Sequence, residues 1–138
     1  MKPGILLAAA LALSVTGVGT SCSRSETPAT TASAAPEAVY TVRGRIVTLP
    51  DPAKPASEFR VEHEAIDNFV GIDGKLGMNS MTMGFPLAKG VSLEGLSVGD
   101  KVELTFEVRW KSQPRSQTTK VVKLPPETEL HFGKAKGR

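Results

Sequence analysis

Between Val39 and Leu124 the apolar residues recur at every second position, and no stretch carries a convincing helical period. The segment "KVELTFEVRW" (101–110) has Val102, Leu104, Phe106, Val108 and Trp110 on one side. Its charged residues and Thr105 lie on the other. Side chains alternate across a strand, so this spacing predicts a strand with one buried face. "VYTVRGRIVTL" (39–49) reads as a long β-branched strand, with Gly44 marking a bulge or sharp bend. "EFRVEHEAI" (58–66) places Phe59, Val61, His63 and Ala65 on one face. "MTMGFPLA" (81–88) does the same with Met81, Met83, Phe85 and Leu87, and "TTKVVKL" (118–124) reads as the last strand. Between them lie a Pro-rich turn (50–57), a polar loop (67–77), a short helical turn closed by Gly-Asp (91–100) and a turn around Pro114. Five short strands separated by turn signals predict an all-β fold, a small closed or nearly closed barrel.

The rest of the chain divides by composition. Lys2 followed by "ILLAAALALSVTGVG" is a signal-peptide pattern, assigned to residues 1–21. Cys22, the one cysteine, follows the small residues "GTS" and is expected to carry a lipid in the lipoprotein manner. The box is imperfect, because Gly19 stands where Leu is usual. Ordinary signal cleavage nearby is the alternative. Residues 22–38 are rich in Ser, Thr, Ala and Pro and read as a flexible linker. Residues 39–132 form the predicted domain, and 133–138 a solvated basic tail. The predicted domain therefore works outside the cytoplasm, with no cysteine to form an internal disulfide. A formal charge of +3 and seven aromatic residues argue against nucleic-acid binding. No nucleophile–base arrangement stands out, so an enzyme is not expected.

Three of the four methionines, Met78, Met81 and Met83, fall within residues 78–83. Met81 and Met83 share the apolar face of their strand, and His63 lies on the apolar face of another. If those strands are neighbours, two thioethers and an imidazole converge, with Met78 able to close over them. Thioether sulfur is soft and neutral and suits Cu(I) or Ag(I). Zinc would want thiolates, more histidines or carboxylates. Methionines on an apolar face also serve as core filler, and an inward histidine as a hydrogen-bonded core residue. From pattern alone both readings stand.

"HEAI … MTMGFPL … GLSVGDKVELTFEV" resembles the CusF-type periplasmic copper-binding proteins over most of residues 40–124. The resemblance implies a five-stranded OB-like β-barrel. It also implies Cu(I) or Ag(I) ligation by His63, Met81 and Met83, and delivery of the metal to an efflux system, the work of a metallochaperone in metal resistance. Well-known members carry a metal-capping Trp at the position held here by Met78, so a third thioether or an apolar lid is expected instead. The loop between His63 and Met81 is longer than usual.

Weaker candidates remain. Asp67, Asn68 and Asp73 with Gly74 hint at a calcium loop, but the alternate-position spacing and the final Glu are missing. His131 is expected to be exposed, and Trp110 to be a barrel-end core residue rather than a metal cap. The sequence is thus read as a monomeric, exported Cu(I)/Ag(I) carrier. Its rival is a structural or interaction module of the cell envelope with no metal role.

Overall fold

The computed structural model describes residues 35–137. The signal-type run, Cys22 and most of the linker lie outside the described residues. All regular structure within them is β: β1 (Ala38–Thr48), β2 (Arg60–His63), β3 (Ile66–Val70), β4 (Leu76–Met78), β5 (Met81–Gly84), β6 (Lys101–Val108) and β7 (Ser116–Lys123). Five strands form one antiparallel sheet in the order β5-β2-β1-β6-β7. β3 and β4 form a separate two-stranded sheet.

β1 is long because it serves two neighbours. Residues 38–45 pair with β6, and residues 44–48 pair with β2. Gly44 belongs to both ladders, opposite His63 on one side and Val102 on the other. A Cβ there would meet the Glu62 carbonyl oxygen and Val61 Cγ1, each at 2.6 Å. The glycine is therefore explained by close approach. The register shift between β1 and β2 occurs at Ile46/Thr48 instead. The edge strands also communicate. Leu87, just past β5, bridges Thr118 of β7 in parallel. Thr118 donates its N–H to the Pro86 carbonyl at 2.7 Å, and Ala88 donates to the Thr118 carbonyl at 2.8 Å.

The core is aliphatic and aromatic. Val42, Ile46, Val61, Val102, Leu104 and Val108 are buried, and Phe85 and Phe106 meet edge to face at 5.5 Å. Trp110 packs edge-on against Phe69 at 6.1 Å. Burying such side chains stabilises the fold by about 1.5–3 kcal/mol each.

Three expectations need correction. The strand expected over 58–66 ends at His63. Its alternation then changes phase, so Ile66 rather than Ala65 is buried. The polar loop expected at 67–77 is a hairpin, β3–β4, turned by the Asp73-Gly74 pair with Gly74 at φ +77°. Residues 91–100 form turns rather than a helical turn, interrupted by the positive-φ residues Gly95 and Gly99.

Candidate metal centre

β2 and β5 lie side by side, antiparallel, with His63 directly opposite Met81 and Val61 directly opposite Met83. Residues facing each other across such a pair point to the same side of the sheet. His63, Met81 and Met83 therefore share the inward face with the buried Val61 and Phe85. The three donors differ in depth. His63 is fully buried, Met83 is half-buried against the core, and Met81 is 51% exposed.

His63 is held in one chemical state. Its Nδ1 lies 2.6 Å from the Glu64 carbonyl oxygen, so Nδ1 carries the proton and donates it. Nε2 then holds a lone pair, and it is buried with no hydrogen-bond partner. Thr118 Oγ1 is the one other buried side-chain polar atom in that condition among the described residues. An orphaned buried acceptor costs about 1–3 kcal/mol. A metal ion at Nε2 would remove that cost, and a backbone acceptor on the other ring nitrogen is the usual second partner of a ligating histidine. Burial holds the imidazole below its ordinary pKa of 6.5, against a smaller upward pull from the Glu64 carbonyl. The ring is therefore neutral, the form that binds metal. Phe85 contacts it edge-on at 5.8 Å.

The Glu64 carbonyl is fixed in turn. The Glu64 N–H donates to the Arg43 carbonyl at 2.9 Å. The carboxylate takes a bidentate pair from Arg43, at 2.8 and 3.1 Å. This support was not read from the sequence. The opposite charges of Arg43 in β1 and Glu64, just past the end of β2, were the signal available.

Met78 sits apart from the other two methionines, in β4, opposite the buried Ile66 and half-buried against the core. The hairpin thus brings it to the apolar side from a different sheet. His131 is exposed, and its backbone N–H donates to Glu64 Oε1 at 2.6 Å. The calcium-loop residues are otherwise engaged: Asp73 caps its own turn through the Lys75 N–H at 3.1 Å, and Asp67 accepts the Lys136 N–H at 2.6 Å. Among the described residues no three His, Cys, Asp or Glu side chains gather to hold a metal. The donor set is soft, one imidazole and thioethers, which disfavours zinc, calcium and magnesium.

The family model for the copper binding periplasmic protein CusF matches residues 39–120. The chain belongs to the CusF family. Members are periplasmic copper-binding proteins, binding Cu(I) or Ag(I), and are not enzymes. No curated protein and no solved structure gives a significant match. The matched CusF segment runs from the start of β1 into β7 and includes His63, Met78, Met81 and Met83. Residues 121–138 lie beyond it.

Proposed function

We propose that this protein binds Cu(I), and by the same chemistry Ag(I), through His63 Nε2 and the sulfurs of Met81 and Met83, with Met78 as a third thioether or a lid. The observation that carries the reading is the buried His63 Nε2, deprotonated and unpartnered, on one sheet face with two in-register thioethers. A neutral donor set favours a monovalent ion, because no ligand charge offsets a second positive charge. Half-exposed Met81 suits ligand exchange: a partner's soft donor reaches the ion from solvent while His63 still holds it from inside. That is the behaviour of a carrier that hands its ion to an efflux system or another copper protein. The parallel link between residues 86–88 and Thr118 supports closure of the sheet into an OB-like barrel. The signal pattern and Cys22 support an exported, lipid-anchored chain.

The test is a metal titration of the chain carrying Cys22→Ser, which removes a competing thiolate. Cu(I) under reductant and Ag(I) should each bind and raise the melting temperature. At a free concentration a hundredfold above Kd the gain is about 2.7 kcal/mol. Zn(II) should leave the transition unmoved. Stabilisation by Zn(II) with none by Cu(I) would refute the soft-metal reading and leave the structural module standing.

A further inference from the structure

The sequence "HFGKAKGR" has the composition of a solvated tail, and the CusF match ends before it. The structure gives it a fitted course. The His131 N–H donates to Glu64 Oε1, the residue whose carbonyl fixes the His63 proton. Phe132 lies under the Arg45 guanidinium, 6.0 Å from Cζ to ring centroid, and Arg45 is itself paired with Glu62 of β2. Gly133 and Ser80 then exchange hydrogen bonds. The Ser80 N–H donates to the Gly133 carbonyl at 2.9 Å, and the Gly133 N–H donates to Ser80 Oγ at 2.7 Å. The Ala135 N–H donates to Asn79 Oδ1 at 3.0 Å, and the Lys136 N–H donates to Asp67 Oδ1.

The segment ends in close contact with β4. A Cβ on Gly137 would lie 2.5 Å from the Leu76 carbonyl oxygen, and one on Gly77 would lie 3.0 Å from Ala135 Cβ. Gly77 also has φ +89°, a left-handed conformation that glycine adopts without strain. A merely solvated tail has no need of such close backbone approach.

We propose that residues 131–136 are a clasp that positions the metal donors. It grips Glu64 beside His63 and, a few residues further on, Asn79 and Ser80, the link between Met78 and Met81. The His63 half and the methionine half are otherwise joined locally by the β2–β5 ladder, four residue pairs long with His63–Met81 at its end, and by the Ile66–Met78 pair of β3 and β4. Ladder ends fray, and opening at this end would separate the imidazole from Met81. The clasp closes that end from outside. This role rests on the metal reading above, and its consequence is a slower release of the bound ion.

The experiment compares the Cys22→Ser chain with the same chain ending at Glu129. Both are loaded with Cu(I), and release to an excess of a Cu(I) chelator is timed. In the metal-free intact chain, amide hydrogen exchange is read at Gly133, Ala135 and Lys136. The clasp predicts protected amides there and release about tenfold faster after truncation, in line with losing several hydrogen bonds of modest net strength. Should the truncated chain not fold, Asn79→Leu/Ser80→Ala in the full chain carries the same comparison. Asn79→Asp, which keeps the acceptor, should release Cu(I) at the parent rate. Equal release rates from parent and variant, or unprotected amides in the intact chain, would overturn the clasp while leaving the metal site standing. No Cu(I) binding by the intact chain would overturn both.

Discussion

β6 and β5 carry the same alternation and use it differently. The inward residues of β6 are Val102, Leu104, Phe106 and Val108, none more than 2% exposed. Those of β5 begin with Met81, half open to solvent, and continue with the half-buried Met83. β6 lies between two strands of the sheet, whereas β5 is at its edge. Packing is thus entrusted to branched and aromatic side chains where contact is complete. The thioethers sit where contact is incomplete: Met83 packs against the core only in part, and Met81 is open to solvent. Their position makes sense for a group that must be reached.

Substitutions can break that contrast. Leu104→Ala should destabilise the protein by about 2–5 kcal/mol, because a fully buried side chain leaves a cavity. Met81→Leu/Met83→Leu preserves volume and apolarity and should cost less than about 1.5 kcal/mol. Thermal unfolding of the two variants, with Cu(I) titrations in parallel, should separate cleanly: the first loses stability, the second loses the metal. A folded double-Leu variant with parental Cu(I) affinity would erase the distinction between the strands.

Acid sharpens the contrast with a smaller effect. His63 in the fold has a pKa below 6.5, while the unfolded chain protonates it near that value. Below 6.5 the unfolded state therefore holds a proton that the folded state does not, so stability falls as pH falls. The decline continues until the lowered pKa of the fold is passed. Cu(I) affinity of the folded protein should hold through that upper window and weaken only near the lower pKa, where a proton competes for Nε2. Unfolding and Cu(I) competition measured across the same pH series should show the two declines offset. His63→Gln should abolish the offset, and coincident declines in the parent would mean that His63 is not the group responsible.

β6 was legible in the sequence because one face of one strand repeats without interruption. β2 was legible only in part. The alternation through His63 gave the correct face, but Ala65 continued the pattern in the sequence while the backbone had already turned at Glu64. That turn is accompanied by the carbonyl aimed at the adjacent His63 and by the Arg43 pair, a tertiary contact no local window contains. The β3–β4 hairpin was hidden by its polar composition, since only Ile66 and Phe69 of it are buried. An Asp-Gly pair between Val70 and Leu76 was the signal that could have revealed it. The common face of His63, Met81 and Met83 followed from phase alone. Their pairing followed from β2 and β5 being neighbours, which phase does not specify. The course of residues 131–137 was not legible, because glycine and lysine give no hint of where a chain will lie down.

Gly44 divides the future of this site unequally. It is the one residue of β1 placed opposite both His63 and the core residue Val102, so a slip in either ladder there disturbs the other. His63 is thereby tied to the register of the whole sheet and has little freedom to drift. β5 has one ladder neighbour along its length and can exchange one soft side chain for another without moving the core. A lineage or a designer wishing to retune this protein for a different ion would find the imidazole fixed and the opposite strand open to revision.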